Sequence, residues 1–349
     1  MYAFLADVHL GTKLTKSDYL KSLDKFLGII KNHEEECHCI FVLGDLFDKR
    51  LSIDDYKFAS IFLVNLVYNR CGRNGNTNVP VHFIHGTFTH DYDQYDIFMK
   101  ILEKIDNVEV FYTKEACARQ LSNGAKVLYL PQKYGDIDYD RFLREKYDII
   151  IGHGVVNSDG LVVCPRGNKE IEFPADKLGA ISNICVFGHF HDYTDFGNNV
   201  FYAGSMLRWK YGEDVQKVFF ICDDNFKGQT IPNEFALDYK TIRVNSPDEL
   251  RTIISNGIDT PHRFMINSSK EDLESYYAIM RINKNNPNIR CMISSNKEDR
   301  SDDVKMDINS ITSAPISEPI PELISYISEK YGTDESEQIR EYESKINRE

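Results

Sequence analysis

Cys39-Ile40-Phe41-Val42-Leu43-Gly44-Asp45-Leu46-Phe47-Asp48 runs apolar for five residues, meets a glycine and turns acidic. A short apolar run stopped by glycine reads as a buried strand that ends in a loop. The same figure recurs four times. Residues 2–6 precede Asp7-Val8-His9, and residues 81–85 precede Gly86-Thr87-Phe88-Thr89-His90-Asp91. Residues 149–151 precede Gly152-His153-Gly154, and residues 184–187 precede Gly188-His189-Phe190-His191. Further strand-like runs lie at 108–112, 126–130, 200–203 and 218–222, while 20–31, 53–69 and 95–105 carry apolar residues at helical spacing. Strands alternating with helices predict an α/β sandwich over the first two thirds of the chain.

The five polar clusters share a location. Ligands of α/β folds gather beyond the carboxyl ends of strands, where loops from distant parts of a chain converge. Imidazole with carboxylate is the ligand mix of Mn²⁺, Fe²⁺ or Zn²⁺ rather than of Ca²⁺. Asp-x-His and His-x-His place both members on one side of an extended segment. A lone Asp-x-His is commonplace, Gly-Asp after a strand is a common turn, and a lone Gly-His carries no information. The reading of a shared metal site rests on all five clusters in order, which take in five of the ten histidines: His9, His90, His153, His189 and His191. His33, His38, His82 and His262 read as surface or core residues, and His85, at a strand end, as a support.

Composition bounds the rest. The chain has 349 residues, a net charge of −13 and 21 Phe with 20 Tyr, and its mean hydropathy is −0.40. No apolar run reaches the roughly 18 residues of a membrane span, and the opening residues lack the basic segment of a secretion signal. Eight scattered cysteines form no C-x-x-C pair, so reduced thiols in a cytoplasm are expected. Cys37-His38-Cys39 fits no zinc-finger spacing and reads as structural. The acidic balance argues against nucleic-acid binding by bulk charge. It is uneven, however: residues 297–349 hold 14 Asp+Glu against 7 Lys+Arg.

The expected organisation is a main domain over 1–238, a small α/β unit over 239–296, an acidic linker over 297–319 and C-terminal helices over 320–349. In the small unit, Ser246-Pro247-Asp248-Glu249 reads as a capping box with proline at the first helical position, inside a βαβαβ order. In the tail, Ile320, Leu323, Ile324, Ile327 and Tyr331 mark one helical face, and Ile339, Tyr342 and Ile346 a second. Helices this short need a partner surface, either another protein or the chain's own main domain.

The five motifs resemble the calcineurin-like metallophosphoesterase superfamily over about residues 1–215. Within it the chain resembles the SbcD-type DNA-repair nuclease subunit, particularly the short versions of tailed bacteriophages. Asp7-Val8-His9-Leu10-Gly11 is similar to that family's opening, Gly44-Asp45-Leu46-Phe47-Asp48 to its second motif, and Tyr202-Ala203-Gly204-Ser205 with Gly212-Glu213 to its close. The resemblance implies a two-sheet β-sandwich flanked by helices, the metallophosphoesterase fold, with the small unit as a DNA-facing cap. It implies two divalent cations, Mn²⁺ with Mg²⁺ or Fe²⁺ as alternatives. Asp7, His9, Asp45 and His191 would hold one, and Asp45, His153 and His189 the other. His90 would face the leaving group, supported by Asp91. Where the family has Gly-Asn-His-Asp, this chain has Gly86-Thr87-Phe88-Thr89-His90-Asp91, two residues longer and without the Asn ligand; Thr87, Thr89, a backbone carbonyl or water would fill its place.

The implied activity is metal-dependent DNA cleavage, exonuclease or endonuclease, in repair or recombination. The implied partners are DNA, an SbcC-type coiled-coil ATPase docked by the C-terminal helices, and a second copy of the chain. No membrane is expected, and the compartment is the host cytoplasm if the chain is phage-encoded. Two other readings compete: a phosphoesterase for small esters or nucleotides, and a non-catalytic scaffold of the nuclease–ATPase complex. Arg208-Trp209-Lys210-Tyr211 reads either as a strand-touching basic-aromatic patch or as a buried Trp flanked by surface charge.

Overall fold

The computed structural model describes residues 1–295 apart from 13–15, 73–74, 76, 133–140, 158–171, 209–212, 214, 239, 259, 261, 269–271, 285 and 287. The expected linker at 297–319 and helices at 320–349 lie outside the described residues, as do Trp209, Lys210 and Tyr211.

The chain opens with β1 (Tyr2–Leu5), α1 (Lys16–Asn32), β2 (Cys39–Leu43), α2 (Ile53–Val67) and β3 (Val81–Ile84). The single turn α3 (Phe88–Asp91) and α4 (Tyr95–Leu102) lead to β4 (Val110–Thr113), β5 (Cys117–Gln120), β6 (Lys126–Leu130), β7 (Tyr147–His153), β8 (Val155–Asn157) and β9 (Glu172–Pro174). Then come α5 (Ala175–Ile181), β10 (Ser182–Gly188), β11 (Thr194–Asp195), β12 (Val200–Tyr202), β13 (Val218–Cys222) and β14 (Gly228–Pro232). The last described elements are β15 (Lys240–Val244), α6 (Pro247–Ser255), β16 (His262–Ser268), α7 (Leu273–Ile282) and β17 (Ile289–Ser295).

Two mixed sheets form, in the orders β14-β13-β1-β2-β3-β4 and β11-β12-β10-β7-β6-β5. The period of two along each strand assigns its residues to layers. Tyr2 and Phe4, with Phe41, Leu43 and Phe220, meet Val127, Tyr129, Ile149, Ile151 and Val186 of the second sheet in one shared core. Ala3 and Leu5 point the other way, with Val42 and Phe83, into a core closed by Leu23, Phe26, Phe62 and Phe98 of the helices. The far face of the second sheet, Leu128, Ile150, Cys185 and Phe187, packs on Leu178 of α5. The order helix, sheet, sheet, helix is the α/β sandwich. Central strands buried on both faces explain why β1 and β2 are apolar throughout and β3 apolar but for His82, rather than alternating.

Each of the nine runs read as strands forms one. The run read at 108–112 is displaced, its strand covering Val110–Thr113. Sequence reading missed β5, β8, β9, β11 and β14. β5, β11 and β14 are half-exposed or exposed and sit at sheet edges, where one face is wet and the apolar signal fades, and β8 and β9 are three-residue strands that pair only with each other. The βαβαβ segment builds a separate parallel sheet, β15-β16-β17, with its own core around Leu250, Phe264 and Tyr276. Ser246 caps α6 by accepting from the Glu249 N–H at 3.2 Å. No helix among the described residues is long and apolar enough to cross a membrane.

Candidate metal centre

β1, β2 and β3 run parallel, as do β6, β7 and β10. Their carboxyl ends carry the five polar clusters. The sheets are joined there by the His153 Nδ1–H, which donates to the Leu43 carbonyl at 2.6 Å, while the Asp7 and His9 N–H groups, donating to the Gly44 and Asp45 carbonyls at 3.3 and 3.0 Å, tie the ends of β1 and β2 within one sheet. Two groups of ligand atoms result. Asp7, His9 and His191 form one, and Asp45, His153 and His189 the other; within each group every ligand atom lies within 4.8 Å of the rest. The His189 N–H, donating to Asp7 Oδ1 at 3.0 Å, ties the groups together.

The backbone is bent to achieve this. Among the described residues ten non-glycine positions have positive φ, and Asp7, His9, Asp45 and His189 are four of them. Asp and His tolerate this left-handed region better than most residues, yet each such position carries a cost that the surroundings must offset. The glycines serve close approach. A Cβ on Gly86 would stand 2.3 Å from Asp45 Oδ1, and one on Gly44 would stand 2.6 Å from the His153 ring.

Asp7, His9, Asp45 and His153 are buried, so their charges interact strongly. Burial drives the Asp7 carboxyl well above its ordinary range; His153 opposes this and the Asp45 charge adds to it. Burial would raise Asp45 as well, but the charge and hydrogen bond of His153 hold it well below the usual carboxylate range. Burial lowers His153, yet Asp45 outweighs it and pushes the imidazole up to about 9. Burial, then the His153 charge, holds His189 down to about 3, and burial keeps His9 well below its usual value. His153 is thus committed to Asp45, and the Asp7 carboxylate lacks enough nearby positive charge to offset its burial. The imidazole and carboxylate donors, the close backbone approach and this unbalanced negative charge all fit a bound metal cation.

Two supports beyond the ligands, Glu213 and Gln132, were not read as such from the sequence. His191 Nδ1 donates to Glu213 Oε1 at 2.8 Å, and Glu213 Oε2 pairs with Lys217 at 3.1 Å. Burial would raise Glu213, but the bond from His191 and the Lys217 charge hold it below the ordinary range. A carboxylate on one imidazole nitrogen fixes the ring and leaves the other nitrogen for a metal. Gln132, two residues beyond β6, is also at the site: its Oε1 accepts from Thr87 Oγ1 at 2.9 Å.

Thr87 is buried; its N–H and Oγ1 donate to Asp45 Oδ1 and Oδ2 at 2.5 and 3.1 Å, and Oγ1 lies 3.4 Å from His153 Nε2. Thr89 is exposed on α3. Asp91 does not support His90. Its carboxylate accepts from the N–H groups of Asp45, Phe47 and Gly86 at 3.1, 3.1 and 2.7 Å. Burial and the Asp45 charge push it up to about 6 against the pull of these bonds and of His85. The support of His90 is the Asp48 carbonyl, which accepts from Nδ1 at 2.7 Å. The rings of His90 and His191 stand 4.9 and 5.2 Å from that of His9, and His9, Asp48 and His90 form a third group of ligand atoms within 4.8 Å.

Arg208 is buried, and its guanidinium donates to the carbonyls of Glu213, Val215 and Ala236. It is a chain clamp and not a surface cation. Cys37 and Cys39 are buried free thiols, and His38 pairs with Asp224 at 3.1 Å. Compared with known proteins, the chain matches no family model and no curated protein.

Proposed function

We propose that the chain is a two-metal phosphodiesterase that cuts nucleic-acid backbones, with the metallophosphoesterase fold and the chemistry of the nuclease subunit its motifs resemble. One observation carries the reading: six side chains from four strand ends, Asp7, His9, Asp45, His153, His189 and His191, converge in two adjoining groups of metal-ligand geometry. Two divalent cations held there, Mn²⁺ by first choice, would supply Lewis-acid polarisation of a phosphate and an activated water.

The chain's own residues do the rest. Glu213 and the Leu43 carbonyl fix the His191 and His153 rings through Nδ1. Thr87 and Gln132 occupy the space beside Asp45 where the family carries asparagine. His90 commits Nδ1 to the Asp48 carbonyl, so a proton passed to a leaving sugar oxygen comes from Nε2. Gly86 and the α3 turn, held by Asp91, set the distance of His90 from the cation groups. DNA end processing with a coiled-coil ATPase belongs to this proposal, and so do the DNA-facing role of 239–296 and docking through 320–349.

The test compares wild type, His189→Ala and His90→Ala in Mn²⁺ on linear duplex, single-stranded DNA and bis-p-nitrophenyl phosphate, with metal content measured on each protein. His189→Ala is expected to lose metal and at least ~100-fold in rate. His90→Ala is expected to keep its metal and slow by roughly 100-fold or more. Equal rates for wild type and His189→Ala at saturating Mn²⁺ would discard the proposal; turnover of the small diester alone would assign a small-ester phosphodiesterase instead.

A further inference from the structure

The third cluster forms the single turn α3, which turns Thr87 and Asp91 inward and Phe88 outward. Thr87 and Asp91 are buried, while Phe88 is 52% exposed. Phe88 directly follows Thr87, which bonds Asp45, and lies two residues before His90. An exposed phenylalanine alone carries no message, because much protein surface is apolar. What surrounds this one does.

The Phe88 ring is backed on its inner side. It lies nearly parallel to the His85 ring, centroids 6.5 Å apart and planes 21° apart, and 5.7 Å from the Tyr92 ring. The Arg50 guanidinium sits over Tyr92 at 5.2 Å, and both Lys49 and Arg50 are exposed. The segment bearing these cations is bound to the segment bearing the aromatics. The Asp48 carbonyl accepts from His90, the Lys49 carbonyl accepts from Gln94 Nε2 at 3.0 Å, and the Leu51 N–H donates to Gln94 Oε1 at 2.8 Å. The nearby carboxylates of Asp93 and Asp96 are paired with Lys114. A supported aromatic face with the Arg50 cation over one of its rings, and exposed Lys49 next to Arg50 in sequence, therefore forms one ledge beside His90, on a chain whose net charge is −13.

An aromatic ring with adjacent cations is the general platform for an unstacked nucleobase and its phosphates, tolerant of sequence because every base has a π-face. A base inside an intact duplex is stacked on both sides and cannot use it. We infer that Phe88, beside Tyr92 and its Arg50, stacks an unpaired base next to the scissile phosphate, so the substrate entering the site is a single strand or a frayed end. This rests on the nuclease reading, and the experiment separates the two.

Full-length wild type, Phe88→Ala and Phe88→Trp are compared on a short single strand carrying 2-aminopurine and on bis-p-nitrophenyl phosphate. Phe88→Ala is expected to keep its metal content and to hydrolyse the small diester at the wild-type rate within about twofold. It is expected to bind the strand about tenfold more weakly, with the loss in KM rather than kcat, and to abolish the quenching of 2-aminopurine that stacking produces. Phe88→Trp is expected to restore both. Equal strand affinity and quenching in wild type and Phe88→Ala overturn this inference while leaving the nuclease reading intact. Loss of small-diester hydrolysis by Phe88→Ala also overturns it, because the residue would then be supporting the fold of the site. A wild-type protein that hydrolyses the diester and binds no strand overturns the nuclease reading and this inference with it.

Discussion

At the scale of single residues, two neighbours in sequence have opposite duties. His90 is about one third exposed and donates to the Asp48 carbonyl, whereas Asp91 is fully buried and receives backbone N–H groups from Asp45 and Phe47 of the loop after β2 and from Gly86 of its own. Removing the Asp91 carboxylate strands those donors in a place water does not reach. Asp91→Ala is expected to cost about 3–5 kcal/mol of stability, read as a lowered urea midpoint, and to lose metal because the Asp45 and Gly86 backbones relax. His90→Ala is expected to stay within about 1 kcal/mol of wild type. Similar midpoints for the two variants would deny Asp91 its organising role. The sequence could name both residues, since both follow a strand, but could not tell them apart: which way each points is set by the helical turn over Phe88–Asp91. Gln132 was missed although the apolar run ending at Leu130 was read, because Pro131-Gln132 carries none of the Asp, His and Gly that marked the other strand ends. Glu213 was noticed only as part of a motif; its bond to His191 spans 22 residues, and no local pattern announces it.

At the scale of elements, legibility followed burial. β1 and β2 and the middles of β7 and β10 are apolar because both sheet faces are covered, and β3 is apolar but for His82, so they were readable without any partner information. β5 at a sheet edge reads Cys-Ala-Arg-Gln and exists because β6 offers it a register. In α6 the local code was complete. Ser246 accepts from the Glu249 N–H and the Glu249 carboxylate accepts from the Asn245 N–H at 2.8 Å, one residue earlier than the usual capping-box return to the cap itself. Ser246→Ala is therefore expected to destabilise the β15–β17 unit by about 1 kcal/mol. Hydrogen exchange should show the loss in α6 and its neighbours while the amides of β1 and β7 keep their protection. Uniform loss across both regions would mean that the small sheet and the main sandwich unfold as one.

At the scale of the whole molecule, the two sheets meet through an apolar layer that contains one buried imidazole. His82 of β3 is buried, and its Nδ1 lies 2.7 Å from the hydroxyl of Tyr129 in β6. Its ring contacts Phe41, Phe111 and Tyr129. Burial, with Arg119 adding to it, lowers its pKa from 6.5 to about 4. Between those two values the unfolded chain carries a proton that the folded chain refuses, so the unfolded state binds more protons and stability falls as the pH falls. The contribution is intact above the unfolded value and is lost progressively toward the folded one. At about 1.4 kcal/mol per unit, moving from pH 7 to pH 5 should remove about 2 kcal/mol through this residue alone. His82→Gln keeps a polar partner for Tyr129 and cannot titrate. Urea unfolding of both proteins at pH 7 and pH 5, in chelator so that metal binding does not contribute, should show wild type losing about 2 kcal/mol more than the variant. The histidines of the metal centre titrate equally in both proteins and cancel in that difference. Equal losses would mean that His82 takes up its proton as readily between the sheets as in the unfolded chain, and the layer joining them would then have to admit water.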